Sequence, residues 1–173
     1  MKRILLICLA LLMVQSVCWA KIEKEVDKFD GSICYYVDAT YYDPYNPQYT
    51  VASFTLFPDP ENGDRKYLQI FLNSKTAYAI EPTIKVQIDD TIYTWDSNHQ
   101  SSRRNGAVDF TFTLPANVYE ALLNTNKNIS LRFFYKDISG DYKQDFAIPY
   151  KKIKEVQTMY KTYSSYSANQ PAN

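Results

Sequence analysis

Histidine occurs once in this chain, as His99, and cysteine three times, as Cys8, Cys18 and Cys34. One imidazole and scattered thiols give no ligand spacing for zinc, so no metal or cofactor is expected. Basic and acidic residues balance at 19 each, which leaves no electrostatic footprint for nucleic acid or an anionic membrane surface. Glycine is scarce, with four in 173 residues, and no internal repeat, interdomain linker or nucleophile-elbow motif is found. Apart from Ile4 to Val14 there is no long apolar run. That run falls short of the roughly 20 residues a spanning helix needs.

The start of the chain reads as an address. Met1-Lys2-Arg3 precedes the apolar run, and Gln15 to Ala20 leads into the charged Lys21-Ile22-Glu23-Lys24-Glu25. A basic start, a short apolar centre and a small final residue predict a secretory signal over residues 1–20, cut after Ala20. Cys18 invites a lipoprotein reading, but it follows Val17, where acylation normally wants a small residue. With Lys2 and Arg3 removed, 17 basic residues face 19 acidic ones, a net charge near −2. The expected product is an exported, soluble domain, periplasmic or secreted. Cys34 would be its lone cysteine, so an internal disulfide is excluded and a Cys34-linked dimer is the alternative use of the thiol.

What is abundant is tyrosine, 16 residues, and with it strand-forming chemistry. The clearest signal runs from Thr83 to Leu114. Thr83 to Ile88 alternates apolar and polar, Asp89-Asp90 suits a two-residue turn, and Thr91 to Trp95 returns. That turn would set Ile88 opposite Thr91, Val86 opposite Tyr93 and Ile84 opposite Trp95, with one face buried. Val108 to Leu114 alternates likewise. Further strands are expected over Ile33–Tyr42, Tyr49–Phe57, Lys66–Asn73, Ile129–Tyr135 and Tyr142–Ile148. Thr76–Pro82 is ambiguous between strand and connection. Lys21–Asp30 carries Ile22, Val26 and Phe29 at helix-like spacing. Pro115–Leu123 reads as a helix with Val118, Ala121 and Leu122 on one side. A second amphipathic helix after Pro149 is marked by Ile153, Val156 and Tyr160.

The fold class expected is therefore all-β and mainly antiparallel: one β-sandwich or open-barrel-like domain over residues 21–162, with seven or eight strands and two short helices. The polar residues 163–173 are expected to form a disordered tail.

Chemistry is weakly signalled. The loop from Asp96 to Gly106 gathers His99, Arg103 and Arg104, which could form an anion-binding rim. Ser101, His99 and Asp96 crowd one loop too closely for a triad. Tyr35, Tyr36, Tyr41, Tyr42, Tyr45 and Tyr49 cluster on one strand and the loop after it. Tyr36 and Tyr42 share the polar-leaning face of Asp38 and Thr40, where flat rings with polar tips could meet a glycan or a protein. The ligand-binding candidates are thus Tyr36, Tyr42, Tyr45, His99, Arg103 and Arg104, and no catalytic residue is singled out. A non-enzymatic binding or interaction module is the leading expectation. The alternatives are a glycan-active hydrolase with scattered carboxylates and a subunit that assembles through a sheet edge.

Overall fold

The hairpin forms with the register that its alternation demands. In the computed structural model, which describes residues 21–42, 49–73, 77–96, 102–104, 107–137 and 140–165, Ile88 pairs with Thr91, Val86 with Tyr93 and Ile84 with Trp95. Asp89 opens the turn at φ 53°, a left-handed conformation that Asp tolerates better than most residues. Its carboxylate accepts a 2.9 Å hydrogen bond from Thr125 Oγ1, which ties the turn to the connection behind the first helix.

The described elements, in chain order, are β1 (Glu23–Val26), β2 (Ile33–Tyr42), β3 (Tyr49–Phe57), β4 (Arg65–Asn73), β5 (Ala77–Ile88), β6 (Thr91–Asp96), β7 (Ser102–Arg104) and β8 (Ala107–Thr113). They continue with α1 (Ala116–Asn124), β9 (Ile129–Asp137), β10 (Gly140–Ile148) and α2 (Tyr150–Tyr163). Every strand pair is antiparallel. One sheet has the order β1-β2-β3-β4-β8-β7, the other β10-β9-β5-β6. No helix among the described residues is long and apolar enough to cross a membrane.

Three segments depart from the sequence reading. The expected helix-like lead-in is strand β1, because its backbone completes a ladder on β2 while all four of its side chains stay exposed. Apolar spacing without burial carries little weight there. Of the ambiguous Thr76–Pro82, residues 77–82 join the strand that follows them. β5 runs through Pro82, and the ladder to β9 shifts register between Ile80 and Ile84, the kind of irregularity that accommodates a proline inside a strand. The polar loop after β6 contains the three-residue strand β7. The strand count among the described residues is ten, β1 and β7 being the additions.

Alternation then decides which face is dry. Val37, Ala39, Ala52, Phe54, Leu56, Leu68, Ile70, Leu72, Phe110 and Phe112 point inward from the six-stranded sheet. Ile84, Val86, Ile88, Ile129, Leu131, Phe133, Phe146 and Ile148 point inward from the four-stranded one. Together with Val118 and Leu122 of α1 and Ile153, Val156, Met159 and Tyr160 of α2 they form a single cluster. Burying each large apolar side chain there is worth roughly 1.5–3 kcal/mol. Trp95 of β6 meets Phe112 of β8 edge-on at 6.5 Å between centroids, a direct contact between the sheets. Tyr163, which composition assigned to the tail, ends α2 and stacks on Tyr35 at 4.0 Å. Ser164 and Ser165 both bond to the carboxylate of Asp64.

Candidate functional site

With one face of each sheet committed to the core, function is left to the outer faces and the loops. On the six-stranded sheet the outward residues are set by register. Glu23 lies opposite Tyr36, Tyr36 opposite Thr55, Thr55 opposite Tyr67 and Tyr67 opposite Thr113. The next rung is Asp38, Ser53, Gln69 and Thr111, and the one after it Val51, Phe71 and Asp109. Directly opposed residues sit side by side on one face, so these rungs make a grid of hydroxyl, amide, carboxylate and aromatic groups.

Most of that grid is half-buried. Thr55 is only 2% exposed. A tyrosine flanks it on either side, and its Oγ1 donates a 3.0 Å bond to Gln69 Oε1. Phe57 takes Tyr67 edge-on at 5.8 Å and carries the Arg65 guanidinium over its ring at 5.4 Å. Tyr36 donates from Oη to Glu23 Oε2 at 2.8 Å; that bond, with smaller contributions from burial and nearby carboxylates, pushes the phenol up to about 12.

Two depressions cross this face. One, of about 390 Å³, runs over Glu25, Asp27, Cys34, Tyr36, Asp38 and Gln69. The other, of about 550 Å³, runs over Asp38, Ser53, Gln69, Phe71, Asp109 and Thr111. Both include Asp38, Ser53 and Gln69, so they join at the middle rung into one groove from β1 to β8. That is four strand spacings, or ~19 Å.

The carboxylates of the groove are its distinctive electrostatic feature. Glu25, Asp38 and Asp109 have no ion-pair partner among the described residues. Burial raises Asp109 above the ordinary carboxylate value. Burial first, and the Glu25 charge second, push the Cys34 thiol up to about 11. It therefore stays protonated at neutral pH, where a thiol is a poor nucleophile for disulfide exchange.

The sequence candidates do not converge. Tyr36 lies in the groove. Tyr42 ends β2 opposite Tyr49, while Arg103 and Arg104 occupy β7 opposite Val108 and Ala107; only strand positions are described for these three. β2 and β7 are four strand spacings apart, so Tyr36 and the arginine pair lie toward opposite ends of the sheet. Tyr45 and His99 lie outside the described residues. Asp38, Ser53, Thr55, Gln69 and Asp109 went unnoticed in the sequence as site residues. The usable signal was the partly polar second face of Lys66–Asn73, a central strand whose outward Gln69 has no reason to face a dry layer.

Among the described residues no group of three or more His, Cys, Asp or Glu side chains is placed to hold a metal ion. Comparison with known proteins finds no counterpart: no family matches the chain, and no curated protein or solved structure is significantly similar to it.

Proposed function

We propose that this chain is an exported, non-enzymatic binding module of the cell envelope or secreted space, and that the groove across the six-stranded sheet is its binding face. We read the two sheets, with their shared interior, as the layers of a β-sandwich that holds this face rigid. The observation that carries the proposal is the continuity of the groove through Asp38, Ser53 and Gln69. A long polar and aromatic trough suits an extended ligand better than a small substrate. Export rests on the N-terminal pattern of residues 1–20.

A glycan hydrolase fits less well. Glu25 pairs with Cys34, four residues along the ladder from Asp38, so their α-carbons are ~14 Å apart by strand geometry. Inverting glycosidases hold their two carboxyl groups about 6.5–9.5 Å apart, whereas strand side chains stand roughly perpendicular to the sheet and so keep these two carboxyls near their α-carbon separation. Assembly through an edge is also disfavoured by the sequence of β10, an edge strand carrying Asp141, Lys143 and Asp145, since charges on an edge discourage pairing. The high pKa of Cys34 speaks against a Cys34-linked dimer. Electrophoresis without reductant should give a monomer band, and a dimer band that reductant removes would reverse that judgement.

The proposal is tested by screening the protein from Lys21 onward against immobilised oligosaccharides and peptides, beside a Ser53→Ala/Gln69→Ala variant and a Lys85→Ala/Ser130→Ala variant of the other sheet. Loss of the recovered binding in the first variant alone supports the groove. Loss in the second alone, or turnover of any glycan, sinks the proposal.

A further inference from the structure

The inference below rests on the groove being the binding face and concerns what fills it. Along the outward rungs from β1 to β8 the described charged side chains are Glu23, Glu25, Asp27, Asp38 and Asp109, against Arg65; beyond them, Arg104 of the edge strand β7 holds a position on the same face, opposite Ala107. Arg65 is engaged on the ring of Phe57 at one end of the face, and Glu23 is engaged by the Tyr36 hydroxyl. Asp27 accepts from the backbone N–H of Phe29 at 2.7 Å, so it partly serves its own turn. Glu25, Asp38 and Asp109 remain, spread along the groove with no cation beside them among the described residues.

The other sheet treats its acids differently. Asp145 receives a two-pronged guanidinium from Arg132 at 2.5 and 2.7 Å. Asp141 has Lys136 Nζ at 3.8 Å. Two outward carboxylates of the four-stranded sheet, Asp141 and Asp145, thus have their counter-charge within the chain, while Asp96 accepts from the Thr83 hydroxyl at 2.6 Å. In the groove no counter-charge stands beside Glu25, Asp38 or Asp109 among the described residues, and Asp109 is half-buried, where an unpaired charge is costly. Lysine and arginine side chains also suit the aromatic groups Tyr36, Tyr67 and Phe71 as cation–π partners.

We propose that the groove binds an extended, lysine- or arginine-bearing peptide segment of another protein, with its ammonium or guanidinium groups neutralising Glu25, Asp38 and Asp109. A trough of ~19 Å accommodates about six extended residues at ~3.3 Å each. Alternate side chains of such a segment face the sheet, so about three cations reach the three carboxylates.

The test uses a fluorescein-labelled peptide of about eight alternating lysines and serines, with a glutamate–serine peptide of the same length and a chitosan oligomer as comparators. Anisotropy should show binding of the lysine peptide that weakens as salt rises. Glu25→Gln/Asp38→Asn/Asp109→Asn should weaken it by about tenfold or more, or ~1.4 kcal/mol. Lys85→Ala/Arg132→Ala should not weaken it. All the changes lie on outward positions, and circular dichroism checks that each variant is folded. As a second probe that leaves the carboxylates in place, Gln69→Lys should weaken the lysine peptide by supplying a cation of the protein's own. Backbone amide shifts should centre on Asp38, Gln69 and Asp109.

Equal binding of the glutamate peptide, tighter binding of chitosan, or no loss in the triple variant would overturn the peptide assignment. If those ligands still shift Asp38 and Gln69, the groove survives as the binding face. Shifts confined to Lys85 and Ser130 would overturn both.

Discussion

The two outer faces are built on the same antiparallel ladder, and they handle polar groups in opposite ways. On the four-stranded sheet Lys85, Gln87, Ser130, Arg132, Lys143 and Asp145 stand in water, and its charges pair locally where they pair at all. On the six-stranded sheet Ser53, Gln69, Asp109 and Thr111 are half-buried and Thr55 is buried, with bulky neighbours on each rung. Solvation makes the first face indifferent to its own composition. Desolvation makes every polar atom of the second face count, because an unmade bond there is not replaced freely by water. A surface that keeps a carboxylate, Asp109, partly dry and unpaired among the described residues is the better candidate for function.

The largest test of the contrast lies at the margin of the six-stranded sheet, just before β4. The Asp64 side chain is 3% exposed, and it accepts from both hydroxyls of Ser164 and Ser165 and from the Ser165 amide at 3.2 Å. Asp64→Ala would leave these donors without their acceptor and should cost about 2–3 kcal/mol in urea unfolding at pH 7. It should also open the end of α2 to proteolysis. Burial alone would raise the Asp64 pKa, but the bonds from Ser164, Ser165 and the Asp59 amide bring it below the ordinary value. A lowered folded-state pKa adds stability above the unfolded value of ~3.9, and that contribution disappears as pH falls through the lower folded value. Asp64→Asn should therefore flatten the acid limb of the stability profile. An unchanged limb would show that the docked C-terminal serines do not depend on charge.

Within the face itself, Thr55→Val keeps shape and removes the donor to Gln69 Oε1. Leaving that acceptor unmatched should cost about 1 kcal/mol. The same change at Thr94, exposed on β6, should cost nothing measurable. Equal losses at both positions would erase the distinction between the faces.

How much of this was legible beforehand follows from the same contrast. Periodicity exposes inward faces, so Ile84, Val86, Phe110 and Phe112 could be assigned to the interior from alternation, and both helices from their apolar stripes. β1 and β7 carry no such pattern, because edge strands held by backbone pairing need not bury a side chain. The site was harder to read. Asp38, Ser53, Gln69 and Asp109 come from four strands, and only sheet order places them on neighbouring rungs. Tyr36 could be singled out because one strand sufficed to place it beside Asp38. Arg103 and Arg104 were grouped with His99 because one loop carries all three, and the sheet order puts them four strands from Tyr36.

Asp109 gives a smaller and opposite effect. Burial raises its folded-state pKa, so any stability linked to its protonated form is present at acid pH and is lost as pH rises through that value. At neutral pH the charge is a liability, and Asp109→Asn should raise the thermal midpoint slightly. The same variant should bind the lysine peptide more weakly. Gain of stability with loss of binding is the pattern expected where a fold tolerates strain for a ligand. A fall in the midpoint would mean that Asp109 has a structural partner after all.

The smallest effect is expected from the most conspicuous ion pair. Arg132 and Asp145 face each other across β9 and β10 with two short bonds, and each raises the tendency of the other to stay charged. Yet their side chains are 44% and 55% exposed, and water competes for both partners. Arg132→Ala should leave the urea midpoint unchanged within measurement, and the double variant with Asp145→Ala should show no coupling at moderate salt. If instead the pair proves strongly coupled, the outer face of the four-stranded sheet is less solvated than its exposure indicates. Unpaired carboxylates would then no longer single out the other face, because both sheets would be holding desolvated charge.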